Sequence, residues 1–255
     1  MLHKPQGFQE TYSIIPIPYL YLLNYKATSN PLLLHSLQKN NTMNLRNNST
    51  PNCQLLQSPD EISKMFHGLF DFINLLMPIS EHDQKLCKKY FKPYTVKKGT
   101  LLEVEGTTHT HHNFIVSGYM RNFHHDEKGK EITTDINDGP RFFTSYYSFI
   151  QQTISNENLH CITDCKLLRI NRKDNEIITR QGQNSQKYVE KILQYNLESS
   201  RQRVIDSNTL TAKERYLKML KNHPAILRNV PINYIASYLG INAGSLSRIR
   251  QEISP

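Results

Sequence analysis

Residues 231–250 read Pro231-Ile232-Asn233-Tyr234-Ile235-Ala236-Ser237-Tyr238-Leu239-Gly240-Ile241-Asn242-Ala243-Gly244-Ser245-Leu246-Ser247-Arg248-Ile249-Arg250. Ile235 and Leu239 lie four apart and share one face of a first helix. Ala236 is small enough to let a second helix come close. Gly240 suits the positive φ that a tight turn after a helix requires. Asn242 is a good N-cap for the next helix, and Leu246 and Ile249 form that helix's inward stripe. Ser245 and Arg248 occupy another face, three apart, with Glu252 four residues beyond. The spacing predicts a helix-turn-helix whose second helix turns an arginine-bearing polar face outward, a shape suited to a DNA major groove. A generic amphipathic pair accounts for the apolar spacing alone. It leaves unexplained why Ile-Ala-x-x-Leu-Gly, the Asn cap and the Leu-Ser-Arg run fall in one register.

Charge supports the same end of the chain. The 255 residues suffice for one large domain or two ordinary ones, and the net charge is +9. Residues 1–59 carry a balance of +3, residues 60–182 a balance of zero with 16 charges of each sign, and residues 183–255 a balance of +6. The excess is concentrated around the helix-turn-helix, as in a nucleic-acid footprint. A solvated basic helix surface is the plainer alternative.

Four cysteines occur: Cys53, Cys87, Cys161 and Cys165. Only the last two are close, as C-x3-C, a spacing that on one strand points both to one face. No second close pair completes a tetrahedral metal site. Buried free thiols and a reducing cytoplasm are expected. Residues 14–23 form an apolar run, but ten residues with two prolines cannot span a bilayer. One lysine before the run and no Ala-x-Ala site after it argue against a signal peptide.

Residues 1–59 are poor in acids and end in an Asn/Ser/Thr/Pro tract. They are expected to be a disordered extension, or one that is not translated if the true start is Met43. Ile62, Phe66, Leu69, Phe70, Ile73 and Leu76 then keep a helical face, and Ser80 with Asp83 marks a new helix start. From Tyr94 the period changes to two. Short strands are expected at 94–96, 101–105, 113–116, 119–123, 132–136 and around Thr163-Asp164 within 159–170, with turns at Lys97-Lys98-Gly99, Ser117-Gly118 and Lys128-Gly129. Many short strands with glycine turns predict an antiparallel roll.

Residues 183–207 return to helix. Val189, Leu193, Leu197 and Val204 form a narrow apolar stripe with polar flanks, suited to helix-on-helix contact in a dimer. Packing on the chain's own roll is the alternative. Thr211 with Glu214 predicts a capping box for one further helix before the DNA-reading pair.

Helix, roll, long helix and C-terminal helix-turn-helix, in that order, resemble the Crp–Fnr family of bacterial transcription regulators, relatives of the cyclic-AMP receptor protein. The likeness covers residues 60–252. It rests on Ile235-Ala236-x-x-Leu239-Gly240 with Leu246-Ser247-Arg248, on Lys97-Lys98-Gly99, and on Val116-Ser117-Gly118-Tyr119-Met120-Arg121. The run Phe143-Thr144-Ser145-Tyr146-Tyr147-Ser148-Phe149 is similar to the shorter Bacteroidetes members. The resemblance implies an α+β protein with four parts. They are an extension (1–59), a cyclic-nucleotide-binding-like antiparallel β-roll or jelly-roll sensor with flanking helices (60–182), a dimerisation helix (183–208) and a helix-turn-helix domain (209–255). The last is winged-helix-like with its wing absent or truncated. It also implies a homodimer in the cytoplasm, a two-fold symmetric operator in double-stranded DNA, and RNA polymerase as a further partner, with no membrane association.

Two departures restrict the resemblance. Members that bind cyclic nucleotide carry a Gly-Glu-Leu turn and then an Arg-Ser or Arg-Thr pair, because an anion needs oriented donors and a counter-charge. The corresponding pocket residues here are Phe143, Thr144 and Ser145, then Asn156, Glu157 and Asn158. A phosphate beside Glu157 would be repelled, so cyclic AMP is not expected by the usual contacts and no cofactor is expected. Cys53 and Cys87 alone do not supply an iron–sulfur cluster. In the reading helix, Ala243 and Gly244 stand where relatives carry charged base readers, and Gly244 lowers helix propensity by roughly 1 kcal/mol relative to alanine. Arg248 is left as the main guanine reader, with Asn242, Ser245, Ser247 and Arg250 as the other DNA candidates.

Two rival readings stand beside this one. His109, His111, His112, His124 and His125 invite comparison with cupins, in which a roll binds metal through His-x-His. His109 and His111 would share a strand face, but the expected glutamate is missing. The other rival is a non-DNA interaction module, against which the basic C-terminal third argues. No serine–histidine–acid set, phosphate loop or catalytic carboxylate pair is present, so no enzyme is expected.

Overall fold

The computed structural model describes residues 52–253 apart from Asp138, all within a compact unit spanning Ser49–Pro255. The apolar run at 14–23 and Met43 lie outside the described residues. Two antiparallel sheets face each other. The first has the order β1 (Cys53–Leu55), β2 (Lys92–Val96), β9 (Cys165–Asn171), β4 (His111–Ser117) and β7 (Arg141–Phe142). The second has the order β3 (Leu101–Glu103), β8 (Asn158–Cys161), β5 (Met120–His125) and β6 (Glu131–Asn137). This is the expected roll, and with the helices around it the fold is α+β.

Each sheet is covered on both faces. Val96, Leu102, Ile115, Met120, Leu159 and Leu167 meet between the sheets. Phe114, Phe142, Leu168 and Ile170 point the other way, onto helices. That is why β4 and β9 read as near-continuous apolar runs, Phe114-Ile115 and Leu167-Leu168, instead of alternating cleanly. The β4–β5 turn requires Gly118. Its φ is +101°, and a Cβ there would stand 2.6 Å from the Asp164 carbonyl oxygen and from Cys165 Sγ.

Helix α1 (Pro59–Leu76) starts with proline in its first turn and buries Met65, Phe66, Leu69, Phe70, Phe72 and Ile73. Helix α2 (Glu81–Tyr90) is capped as the Ser80–Asp83 spacing predicts, with Asp83 N donating to Ser80 Oγ at 3.1 Å. A short α3 (Tyr146–Gln151) follows β7, and α4 (Arg172–Gln181) follows β9. The 25-residue α5 (Ser185–Thr209) leads to α6 (Ala212–Asn222), where the Thr211–Glu214 capping box forms, and then to α7 (Pro224–Asn229).

Two expectations change. The stretch 1–59 was expected to lack structure up to α1, but Cys53–Leu55 forms an edge strand on β2, pairing Cys53 with Val96 and Leu55 with Tyr94. Three residues in a polar tract give too short a pattern to read. Cys161 and Cys165 do not share a strand. Cys161 ends β8 and Cys165 begins β9, so the chain crosses from one sheet to the other between them. Both thiols are free and buried, as is Cys87, while Cys53 is partly buried.

Candidate nucleic-acid interface

The first helix of the C-terminal pair is α8 (Ile232–Tyr238) and the second is α9 (Ala243–Ile253). The turn between them is built as its residues require. Gly240 has a φ of +69°, and Gly240 N and Ile241 N donate to the Ser237 and Ala236 carbonyl oxygens, each at 3.0 Å. A Cβ on Gly240 would meet nothing within 4 Å, so the constraint here is backbone conformation and not space. Asn242 Oδ1 accepts from Ser245 N at 2.7 Å, the N-cap expected of it. Ile235, Ala236, Leu239 and Leu246 are buried together, Leu246 completely.

The outer face of α9 carries the candidates. Asn242, Ser247, Arg248 and Arg250 are exposed, and Ser245 is half-buried. The carboxylate on that helix, Glu252, is held by Lys213 Nζ at 2.9 Å, which lessens its repulsion of a phosphate backbone. Asn242 spends its side-chain oxygen on the cap, leaving its amide group as a donor on the exposed face.

Sequence reasoning missed how the pair is mounted. Helix α8 lies on the outer face of the second sheet, and its core merges with Ile136 of β6 and Ile162 of the β8–β9 turn. Thr133 N donates to Ser237 Oγ at 2.9 Å. Arg121, only 2% exposed, is sandwiched with its guanidinium carbon 4.0 Å from the Phe123 ring centre and 3.6 Å from that of Tyr234. Its nitrogens donate to Glu131 Oε2, to Thr133 Oγ1 at 3.2 Å and to His160 Nδ1 at 3.2 Å. Arg215 adds a second tie, donating to the Leu239 carbonyl at the end of α8 at 2.8 Å and to the Leu210 carbonyl at 2.7 Å. The Val-Ser-Gly-Tyr-Met-Arg run held the one available signal, since Arg121 falls inside a strand pattern.

Helix α5 has two apolar faces. Tyr188 and Ile192 are buried against α1 and the first sheet. Val189 is half-buried, while Leu193, Leu197 and Val204 are 41%, 53% and 61% exposed. The sequence stripe is therefore mostly the face that the chain's own roll leaves uncovered.

The expected ligand-pocket residues are not gathered in one place. Phe143 and Thr144 line a cavity of about 150 Å³ between the roll and α5, together with Asn122, Asp135, Arg141 and Arg203. Ser145, Asn156 and Glu157 are not in its wall. Ser145 is the N-cap of α3, Asn156 is exposed, and Glu157 accepts from Thr134 Oγ1 at 3.1 Å. Burial raises the Glu157 carboxyl above the ordinary range, opposed by that hydrogen bond. Sequence reasoning found no arginine near this pocket, yet Arg141 of β7 and Arg203 of α5 stand in the cavity wall. Both are held by Asp135, at 2.9 and 3.1 Å.

The histidines do not converge. His109 precedes β4, is buried, and has Nε2 3.3 Å from the Glu157 carbonyl. His111 opens β4 with Nδ1 2.8 Å from Thr110 Oγ1, so the two do not share a strand face. Burial lowers His111 to about 4, with Arg169 adding to the effect. No group of three or more metal-ligating side chains occurs among the described residues.

The c-di-GMP-responsive global regulator CLP of Xanthomonas campestris superposes with a TM-score of 0.56 at 13% identity, over 68% of this chain and 91% of that one. A regulator assigned to the crp/fnr family from Eubacterium rectale gives 0.54 at 17% identity, over 68% and 83%. The fold is Crp/Fnr-like. A cAMP-bound PfPKA-R chain aligns over 48% of this chain and only 43% of its own length, at 17% identity and a TM-score of 0.41, too low to bear on the argument. No family model matches the sequence, and no curated protein is similar to it. No helix among the described residues is long and apolar enough to cross a membrane.

Proposed function

We propose that the protein is a dimeric, DNA-binding transcription regulator of the cytoplasm that reads a two-fold symmetric operator and catalyses no reaction. The observation that carries this reading is the outward face of α9. Arg248 and Ser247 are exposed on a helix anchored from behind by the buried Leu246 and capped by Asn242. Arg248 is the residue for a bidentate guanine contact, with Ser245 and Ser247 on base edge or phosphate. The exposed Leu193, Leu197 and Val204 on α5 support self-association through that helix. Two copies would set their reading helices about one DNA turn (~34 Å) apart.

Cyclic nucleotide is not the effector in this reading. The cavity between roll and α5, about 150 Å³, falls below the roughly 300–1,000 Å³ of ordinary small-molecule sites. Both of its arginines already bond the Asp135 carboxylate.

Genomic footprinting supplies the operator. Binding to random duplex DNA weakens as salt rises, as phosphate contacts require. Arg248→Ala loses roughly 1–3 kcal/mol of operator binding and keeps the oligomeric state. Leu193→Glu sediments as a monomer, because a buried charge replaces an apolar contact. Unchanged operator binding in the first variant, or an unchanged dimer in the second, removes the corresponding role.

A further inference from the structure

Helix α5 is gripped mainly at its beginning. Its buried residues are Ser185, Tyr188 and Ile192, and among the described residues of the helix none beyond Ile192 is buried. Tyr195 still meets Phe72 of α1, edge-on at 5.9 Å. Past that point Asn196, Ser199 and Ser200 line the 150 Å³ cavity that separates the helix from the roll. Residues 193–209 run roughly 26 Å at 1.5 Å per residue. They carry Leu193, Leu197 and Val204, the face read above as the pairing surface.

Arg203 spans the gap. Its Nη1 donates to the Thr134 carbonyl of β6 at 2.8 Å and lies 3.1 Å from Asp135 Oδ1. Its Nη2 donates to Ser200 Oγ, one turn back on α5, at 3.2 Å. The guanidinium carbon stands 5.9 Å from the Tyr238 ring centre in α8. One side chain of α5 thus touches the roll and the first helix of the C-terminal pair together. A guanidinium can do this because its donors form a rigid fork and its face stacks on rings.

Charge neutralisation does not account for the arrangement. Asp135 already has a counter-charge in Arg141, at 2.9 Å. What Arg203 adds is a link between elements. Another tie near the end of α5, from Lys218 Nζ to Asp206 at 2.6 Å, reaches α6, the next helix along the chain, and not the roll. Helix α8 is itself fixed to the roll through Tyr234 and Ser237. The coordinate left for Arg203 to set is the angle of the far half of α5 against that mount.

We propose that Arg203 is a positioning residue: it fixes the angle between the pairing half of α5 and α8, and thereby the half-site spacing that a dimer accepts. The inference rests on the dimeric DNA-binding reading. Two copies joined along residues 193–209 hold their reading helices apart at a distance that depends on this angle in each protomer. One inserted base pair moves a half-site by about 3.4 Å and turns it by about a tenth of a helical turn. A stiff dimer rejects that change, and a loosened one tolerates it.

The test uses the full chain and two readouts. The first needs no DNA: amide hydrogen exchange along α5. Arg203→Met keeps the length of the side chain and loses the fork. It speeds exchange at residues 196–209 by at least about threefold and leaves residues 188–192 unchanged. Arg203→Lys keeps the charge pair with Asp135 and restores most of the protection. The second readout is affinity for the footprinted operator against the same operator with one base pair added between its half-sites. The unsubstituted chain loses at least about tenfold on the insertion, and Arg203→Met loses no more than about threefold. Should Arg203→Met not fold, Asp135→Asn takes its place with the same expectations. Unchanged exchange at residues 196–209 overturns the link itself. Faster exchange with an undiminished penalty for the added base pair overturns its role in spacing, as does an unsubstituted chain that tolerates the insertion. An unsubstituted chain that binds no duplex removes the DNA-binding reading and the spacing role with it, while exchange still decides the link.

Discussion

Helices α8 and α9 are consecutive and share one small core, yet they are held in opposite ways. Helix α8 is pinned on both sides. Ile235 and Ala236 face α9, while Tyr234 and Ser237 face the roll through Arg121 and Thr133. Helix α9 is pinned on one side only, by Leu246, and its other side keeps Ser247 and Arg248 in solvent. The difference shows which polar residues are structural and which are free for a partner. On α8, Tyr234, Ser237 and Tyr238 meet Arg121, Thr133 and Arg203. Arg248 on α9 is exposed, and the carboxylate near it is neutralised by Lys213.

Three substitutions break or sharpen this contrast. Leu246→Ala removes the one fully buried anchor of α9 and costs about 2–5 kcal/mol in denaturant unfolding. A cost under about 1 kcal/mol would mean that α9 is not held from behind. Tyr234→Leu keeps the apolar bulk but removes the aromatic face over Arg121, costing about 0.5–2 kcal/mol. Because α8 and not α9 is touched, salt-dependent DNA affinity of the folded protein changes little. Loss of affinity equal to that of a reading-face variant would erase the distinction between the two helices. Asn242→Ala removes the cap of α9 and costs about 1 kcal/mol, recovered mostly by Asn242→Ser. Failure of serine to rescue would assign Asn242 a contact beyond the cap.

The reach of sequence reasoning followed the physics of each element. Strands bounded by Gly99, Gly118 and Gly129 were legible because each glycine sits at a positive φ that few other residues tolerate. Helix α1 was legible from its apolar period, and the turn at Gly240 from its dipeptide context. The mounting of α8 was not, because Tyr234, Ser237 and Arg121 meet through hydrogen bonds and a stacked guanidinium, which leave no periodic trace. The cavity wall was missed for a related reason. Arg141 and Arg203 are distant in sequence and are brought together by Asp135, a residue that reads as an ordinary strand acid. In the sequence His112 is one of five histidines that invite the cupin comparison, and its stacking on Phe142 sets it apart.

The fused core around Ile136, Ile162, Ile235 and Leu239 also bears on how the molecule can be dissected. A C-terminal fragment beginning at Thr211 would leave behind the sheet that covers α8, exposing the apolar side of that helix and stranding Ser237 without its donor. The C-terminal helix pair is thus not a detachable module, and a protease cut between it and the roll would yield two pieces that each lack a wall.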